Sequence, residues 1–388
     1  MRNSRRIVTI LVILVAVSFV LQAGRIFSPE KRYSFIAPNQ KQSKDHSEND
    51  NEKDESISEK NLPYRYEFLD TVINGKKEKI HILEVDISDS KVTVKPALSY
   101  GVIYGFEKLS AIAEREEAAA AINGGFFHEY GEPGGMVMVD GELYTSPTGR
   151  YPIFIIKDRK AYFDMFNIGL WIEVNGQNIK LNNINVPGTP GLAVVYTPVY
   201  GTTNRADIAG KTVVVKNGKI SEVIETDGPV NIPGNGFLVT FYYPLRDDMP
   251  VGFKRGMKAS FFYEPFLGDT AIAYECGSFL VKDGENVAGE HDPWVGVLTN
   301  NDPRTAIGIK DENTVVMIVV DGRQPGFSEG LTAKELADFM LERGVKYAAM
   351  LDGGASSEMI VDGEIVNRPS YKGEERKIAG AIVVKASE

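Results

Sequence analysis

The sequence predicts an α+β protein, a mixed β-sheet with few helices in which one helix-strand-hairpin unit occurs twice. Asn-Gly or Asp-Gly pairs stand between apolar flanks at four places, and such pairs favour the positive φ angles of a tight β-hairpin. The pairs begin at Asn74, Asn217, Asp283 and Asp362. Helix signals are confined to two segments, which begin at Ser110 and Thr332. Hydrophobic residues make up 43% and charged residues 25% of the 388 positions, as in ordinary globular proteins.

The first 62 residues precede the predicted folded domain. Three arginines stand before an apolar run over residues 7–21, so residues 1–24 are predicted to be a membrane segment with a cytoplasmic N-terminus. An uncleaved signal-anchor is favoured over a cleaved signal peptide, because residues 21–23 (LQA) match the small-residue pattern of a cleavage site poorly. Residues 25–62 are predicted to be a disordered, flexible stalk, since residues 39–60 contain one aliphatic side chain and no aromatic one. The folded domain is expected to span residues 63–388.

A chain with this beginning is expected at the cell membrane. A single N-terminal span would hold the folded domain outside the cytoplasm, and a secreted form is the alternative. The membrane is therefore a predicted partner. The single cysteine, Cys276, allows neither an intrachain disulfide nor a Cys-rich zinc site, and an exported chain without disulfides fits a bacterial envelope. With 43 basic and 53 acidic residues the net charge is -10, which argues against general nucleic-acid binding.

An internal repeat relates the two predicted helices. The first copy runs from Ser110 through a helix and a strand of small residues to Asn-Gly-Gly at 123–125 and an Asp-Gly hairpin. The second copy runs in the same order from Thr332 to Asp-Gly-Gly at 352–354 and its own Asp-Gly hairpin. Thr332 and the glutamate three residues later predict a capping box. We expect the two copies to face each other, which makes Asn123 the partner of Asp352.

Charged side chains are predicted to converge at one edge of the sheet. Strands over residues 305–309 and 314–320 should form a hairpin whose register places Arg304 opposite residue 320 or 321. The second helix then leads into a strand over residues 347–351 that should run parallel to residues 314–320. The ends of such strands are where open α/β sheets bind ligands. The side chains expected to meet there are Arg304, Asp321, Arg323 and Asp352.

The two Gly-Gly loops have the composition of an anion cradle. Successive glycines let backbone N–H groups approach an oxyanion, and serine hydroxyls add donors. An arginine alongside would complete a phosphate-binding site. Taken alone, Asp-Gly is also compatible with an ordinary turn. The candidate cradle residues are Gly124, Gly125, Gly353, Gly354, Ser356 and Ser357.

These motifs resemble those of the phosphodiester glycosidase family. The chain departs from the family at residues 275–278 (ECGS), where the usual glycine-rich approach is missing. The matching stretches follow the family's order and are residues 121–127 (AINGGFF), 195–201 (VYTPVYG), 302–308 (DPRTAIG), 320–323 (VDGR), 330–332 (GLT), 335–337 (ELA), 351–357 (LDGGASS) and 367–369 (NRP).

The resemblance implies an extracytoplasmic hydrolase that cleaves the glycosidic bond of a sugar 1-phosphodiester. An example is an N-acetylglucosamine 1-phosphate linkage in an envelope glycan, so a glycan or sugar phosphate is the expected partner. A carboxylate can stabilise or attack the sugar as it becomes oxocarbenium-like, and arginine can neutralise the charge of the departing phosphate. The expected catalytic residues are Asp352, Asp321 and Asn123, and which aspartate acts as nucleophile or base stays open. Arg304 and Arg323 are expected to bind the phosphate, together with the cradle residues.

Two other functions fit parts of the same pattern. A non-catalytic polysaccharide-binding protein of the envelope would suit the anchor and stalk, but it does not need convergent acids and arginines. A metal-dependent phosphodiesterase would use Asp321 and Asp352 as ligands of a hard cation. The sequence requires no cofactor and leaves room for a divalent cation.

Overall fold

The computed structural model describes residues 32–33, 62–245 and 252–387. The predicted membrane segment lies outside the described residues, as does the predicted stalk apart from residues 32, 33 and 62. Among the helices of the described part, none has the length and apolar character needed to cross a membrane.

β-Strands are the main secondary structure of the described chain, which also has two α-helices. The strands are β1 (Arg32–Tyr33), β2 (Tyr64–Ile73), β3 (Lys76–Asp86), β4 (Val92–Leu98), β5 (Ala120–Asn123), β6 (Val137–Val139), β7 (Glu142–Thr145), β8 (Ile153–Lys157), β9 (Lys160–Asp164), β10 (Gly169–Val174), β11 (Gln177–Leu181), β12 (Asn183–Ile184), β13 (Ala193–Tyr196), β14 (Gly210–Lys216), β15 (Lys219–Thr226), β16 (Gly236–Tyr242), β17 (Ala259–Glu264), β18 (Ile272–Glu275), β19 (Phe279–Lys282), β20 (Glu285–Asn286), β21 (His291–Asp292), β22 (Gly296–Val297), β23 (Arg304–Ile309), β24 (Thr314–Val320), β25 (Tyr347–Met350), β26 (Met359–Val361), β27 (Glu364–Ile365) and β28 (Gly380–Ala386). The helices are α1 (Leu109–Arg115) and α2 (Ala333–Glu342).

Two sheets carry the repeated unit. The larger has eight strands in the order β1-β2-β3-β24-β23-β25-β19-β20, and the smaller has five in the order β27-β26-β5-β28-β4. A second five-stranded sheet, β7-β6-β18-β8-β9, contains the Asp-Gly hairpin of the first copy (β6 and β7). A third five-stranded sheet, β12-β13-β16-β14-β15, and a three-stranded sheet, β11-β10-β17, lie between the two copies in sequence. The pair β12–β13 is parallel, which makes its sheet a mixed one. This largely β architecture with two helices agrees with the predicted α+β class.

The layers follow from the alternation of side chains along β24. Val315, Met317 and Val319 pack in a cluster with residues of the five-stranded sheet β27-β26-β5-β28-β4. Val316, Ile318 and Val320 pack with the buried face of α2. Because successive side chains of a strand point to opposite faces, the eight-stranded sheet lies between α2 and the five-stranded sheet. Helix α1 packs on the other face of the five-stranded sheet in its own cluster. The order of layers is therefore α2, eight-stranded sheet, five-stranded sheet, α1.

The predicted hairpins are confirmed at all four Asn-Gly or Asp-Gly pairs. Each pair connects two antiparallel strands, and both of its residues have positive φ, for example 50° at Asn217 and 70° at Gly218. Glycine and asparagine tolerate this left-handed region with little steric cost, which is why these pairs fix the positions of the turns.

The two helices begin differently. Thr332 forms the predicted capping box with Glu335 ahead of α2. In the first copy, however, the predicted helix start at Ser110 is wrong by one residue. The N-cap of α1 is Lys108, and the Ser110 hydroxyl instead donates to a carboxylate oxygen of Glu375, 2.8 Å away. Ser110 is the second residue of α1, and its hydroxyl binds Glu375 instead of capping the helix.

The predicted register of the central hairpin is confirmed. Arg304 pairs with Val320 and Ile309 with Val315. Since β23 is antiparallel to both β24 and β25, these last two strands run parallel, with β23 between them. The two copies also interlock, because β5 of the first pairs with β26 of the second. The Asn-Gly-Gly and Asp-Gly-Gly loops are thereby brought together.

Candidate active site

A cavity of about 250 Å³ opens where β25 ends and β23 begins. Five of the predicted site residues line it, and they are joined by residues from the Trp294 loop and the Arg376 loop. The lining consists of Phe126, Trp294, Val295, Asp302, Arg304, Arg323, Met350, Asp352, Gly353, Gly354, Ala355 and Arg376.

Arg304 is fixed in the cavity wall by backbone carbonyls. It is only 2% exposed, and its Nε donates to the carbonyl of Leu331 at 2.9 Å. Nη2 donates to the carbonyls of Asn300 at 2.8 Å and Leu298 at 3.3 Å. Burial lowers the pKa of the guanidinium, and the nearby Asp302 carboxylate opposes this effect. An arginine keeps its charge under such conditions, so the wall carries a fixed positive charge.

Arg323 supplies a second, more accessible guanidinium. Its side chain is 52% exposed, and its Nε donates to Oδ1 of Asp302 at 2.7 Å. The other oxygen of Asp302 lies 3.9 Å from Nη2 of Arg304. One carboxylate thus stands between two guanidinium groups, which leaves a net positive charge on this side of the cavity and favours an anion.

Gly354 allows the Asp-Gly-Gly loop to approach Arg323. Its φ is +61°, and a Cβ at this position would lie 3.2 Å from both terminal nitrogens of Arg323. The N–H of Gly354 donates to the carbonyl of Pro303 at 2.8 Å. That N–H group therefore has a partner within the protein and does not act as a donor of the predicted cradle. Gly354 instead allows the loop to pack closely against Arg323.

Asp352 is a carboxylic acid in the cavity lining whose pKa is raised. Burial raises the pKa of its carboxyl group, because a low-dielectric environment disfavours the charged form. The Ser356 hydroxyl, the Arg376 guanidinium and the Gly353 N–H act in the opposite direction. A carboxyl group whose pKa is raised keeps its proton to higher pH, which is a property of residues used in general acid-base catalysis.

Asn123 holds the end of β25 in place. Its Nδ2 donates to the carbonyls of Asp352 at 2.6 Å and Gly124 at 3.0 Å. Its Oδ1 accepts from the Thr305 hydroxyl at 2.8 Å and from the N–H of Glu358 at 3.2 Å. All the hydrogen-bonding positions of this amide are occupied by protein groups, so Asn123 positions Asp352. The predicted partnership of Asn123 and Asp352 exists, through the backbone of Asp352.

Gly124 and Gly125 pack against Tyr274 and are not part of the cavity lining. A Cβ on Gly124 would lie 2.4 Å from the Tyr274 hydroxyl and 2.9 Å from the carbonyl of Gly380. The N–H of Gly125 donates to the same hydroxyl at 3.0 Å. These two positions need glycine because neighbouring strands approach closely.

Asp321 lies outside the cavity lining, so three of the four side chains predicted to converge share the cavity. Its Oδ1 accepts from Nδ2 of Asn367 and from the N–H of Arg368, both at 3.0 Å, and its Oδ2 is 3.3 Å from Nε2 of His81. Nδ2 of Asn367 also donates to the carbonyl of Ser357 at 3.0 Å. Asp321 therefore braces the Asp-Gly-Gly loop, and its predicted catalytic role stays a prediction.

The cavity also contains residues that the sequence did not identify. Phe126 stacks on Trp294 with ring centroids 5.7 Å apart and planes 2° apart, which gives the cavity an apolar wall. Asp302 belongs to the DPRTAIG stretch, which could have indicated it, whereas nothing local marks Trp294 or Arg376. Ser357 is buried and absent from the lining. Within the described ranges, no group of three or more His, Cys, Asp or Glu side chains is placed to hold a metal ion.

A cavity lined by three arginines, a buried carboxyl group and an apolar wall defines a candidate enzyme site. Residues 209–385 match the model of the phosphodiester glycosidase family, so the resemblance predicted from the motifs is confirmed over this range. Over this range, which is less than half of the chain, the sequence is similar to phosphodiester glycosidases, and the match suggests a hydrolase. The first copy of the repeat lies before the matched range.

Individual relatives are more distant. YomE, an SPbeta prophage-derived protein of Bacillus subtilis strain 168, is 35% identical over 112 residues, which are 29% of this chain and 17% of YomE. A solved hypothetical protein from Synechocystis has a TM-score of 0.68 and 19% identity, covering 84% of this chain and 62% of that one. A putative exported protein from Burkholderia pseudomallei has a TM-score of 0.66 and 22% identity, covering 81% and 75%. The two solved structures show that the fold is shared.

Proposed function

We propose that this chain hydrolyses the glycosidic bond of a sugar 1-phosphodiester. The proposal rests on one observation: three guanidinium groups, including those of Arg304 and Arg323, and a carboxyl group with a raised pKa line the same cavity. Cleavage at the anomeric carbon leaves negative charge on a departing phosphodiester oxygen. Arg304, held rigidly, and Arg323, half exposed, can neutralise that charge without first reorganising.

Asp352 is proposed to act at the sugar. A carboxyl group beside the anomeric carbon can stabilise the developing oxocarbenium ion, attack it, or remove a proton from the attacking water. The departing phosphate is a weak base and needs little protonation, so a single acid-base residue at the sugar is chemically sufficient. Phe126 and Trp294 offer an apolar surface for the C–H face of the ring.

The cavity volume favours a small reacting group. Ligand pockets for drug-sized molecules occupy roughly 300–1,000 Å³, and this cavity measures about 250 Å³. One sugar with its phosphate is of suitable size, whereas a longer chain must extend beyond the cavity. A glycan or sugar phosphate is therefore the proposed substrate, for instance an N-acetylglucosamine 1-phosphate linkage in an envelope glycan.

The proposed place of action is outside the cytoplasm. The basic and apolar residues 1–24 support either a membrane anchor or secretion. The alternative of a metal-dependent phosphodiesterase would need Asp321 and Asp352 at one cation. Asp321 is engaged by His81, Asn367 and Arg368 instead, so the geometry favours the glycosidase.

The position of bond cleavage tests the proposal. The full-length chain would be incubated with sugar 1-phosphodiesters in water labelled with heavy oxygen, and the products would be analysed by mass spectrometry. We expect a free sugar and an unlabelled phosphomonoester on the other partner, because water attacks carbon. Sugar 1-phosphate as the product, or label in the phosphate, would show attack at phosphorus and refute the proposal. Binding without turnover would favour the polysaccharide-binding alternative.

A further inference from the structure

A second, larger cavity adjoins the first. It measures about 640 Å³ and shares Arg376 with the first cavity. A second connection is aromatic, since the ring of His128 lies 5.2 Å from that of Trp294 in the first cavity. A substrate that is seated in the first cavity can extend past Arg376 into the second. Its lining consists of Phe106, Lys108, Phe127, His128, Glu129, Tyr371, Glu375, Arg376 and Lys377.

Aromatic rings provide surfaces suited to sugar rings. Phe106 and Phe127 pack edge to face with centroids 5.5 Å apart, and Tyr371 is 44% exposed. The Arg376 guanidinium lies over Phe127, 5.6 Å from the ring centroid. An arginine stacked in this way directs its N–H groups sideways, in the plane of the guanidinium, where they can meet anionic oxygens.

The charges of the second cavity favour an anion. Lys108, Arg376 and Lys377 are positive, and Glu129 and Glu375 are negative. Glu375 is already engaged: its oxygens accept from the backbone and hydroxyl of Ser110, each at 2.8 Å, and one lies 3.9 Å from Nζ of Lys108. The Glu375 side chain is only 8% exposed. The positive groups therefore outnumber the accessible acid, which is Glu129.

We propose that the second cavity binds the aglycone side of the substrate, and that this aglycone is a glycan carrying further negative charge. The proposal rests on the function proposed above and makes the substrate a polyanionic saccharide. The first cavity takes the sugar and the scissile phosphodiester. The second takes the following sugar units on its rings and their anionic groups on Arg376 and the two lysines.

Binding of two matched tetramers tests this assignment. One is a tetramer of N-acetylglucosamine joined by 1-phosphodiesters, and the other is the neutral tetramer of N-acetylglucosamine. Each is titrated calorimetrically into the full-length Asp352→Asn chain, which removes turnover. We expect the phosphate tetramer to bind at least about tenfold more tightly, with an affinity that falls as salt rises. Adding Lys108→Gln and Lys377→Gln should reduce that affinity about tenfold.

The matched control adds Lys216→Gln and Lys219→Gln, two exposed lysines on the β14–β15 hairpin, with the same change in net charge. Equal binding of both tetramers, or an equal loss in the control, would overturn the assignment. The titration does not depend on turnover. Charge-selective binding together with cleavage at phosphorus would refute the proposed glycosidase and support the assignment of the second cavity. Cleavage at carbon without charge-selective binding would support the proposed glycosidase and refute the assignment of the second cavity.

Discussion

Glu358 offers a test of how this site is buried. The residue is 1% exposed and follows the Asp-Gly-Gly loop. One of its oxygens accepts the N–H of Arg376 at 2.8 Å. Burial raises the pKa of its carboxyl group from 4.5 to about 8, helped by Glu375 and opposed by that N–H, by Lys108 and by Arg376. The folded protein therefore holds a proton here that the unfolded chain releases at lower pH.

The sign of the pH effect follows from this difference. The contribution of Glu358 to stability is fully present below its unfolded pKa of 4.5 and is lost as the pH rises through about 8. At about 1.4 kcal/mol for each tenfold change in proton binding, the upper limit is roughly 4–5 kcal/mol. Water penetration and relaxation reduce such values, so we expect about 2–4 kcal/mol.

Glu358→Gln removes the titration and keeps the shape. The variant should gain about 2–4 kcal/mol of stability relative to the wild type on going from pH 4.5 to pH 8. The assay is urea unfolding of both proteins at the two pH values. Any constant cost of burying the amide cancels, because only the change with pH is compared. Glu364→Gln, at an exposed position on β27, is the matched control.

A parallel pH dependence of wild type and Glu358→Gln would refute the reasoning. The Glu358→Gln variant should retain some pH dependence from another buried acid, since burial raises the pKa of Glu78 to about 7. This second acid lies in the same pH range, so the difference between the variant and the wild type is the informative quantity.

Three further predictions concern the cavity. Asp352→Asn should lower kcat about 100-fold or more on a sugar 1-phosphodiester. The control variant Asp158→Asn, in an exposed turn, should leave kcat unchanged. Near-normal turnover by Asp352→Asn would show that Asp352 is not part of the mechanism. Arg323→Gln should lower kcat/KM about 100-fold, and an effect confined to KM would mean that Arg323 binds the ground state and the transition state equally. Asn123→Ala should cost about 1–3 kcal/mol in urea unfolding and also lower kcat, because it frees the Asp352 carbonyl; unchanged kcat would contradict its positioning role.

Several features of the site could be read from the sequence because they depend on neighbours along the chain. Positive φ at Asn-Gly and Asp-Gly fixed the hairpin turns, and the turn after β23 fixed the register that pairs Arg304 with Val320. The repeat correctly brought Asn123 to Asp352. These local rules were sufficient to place Arg304, Arg323 and Asp352 at one cavity.

Only the tertiary structure decided which partner each polar side chain binds and whether it lines the cavity. Asp321 follows its strand as predicted, yet His81, 240 residues earlier in the chain, and Asn367 engage its carboxylate. Trp294 and Arg376 reach the cavity from loops that carry no local signal. A buried polar group must find a hydrogen-bond partner, and that partner is chosen by packing between distant segments. The sequence therefore determined where the strands end and which residues stand there, and the packing decided which of them face the cavity.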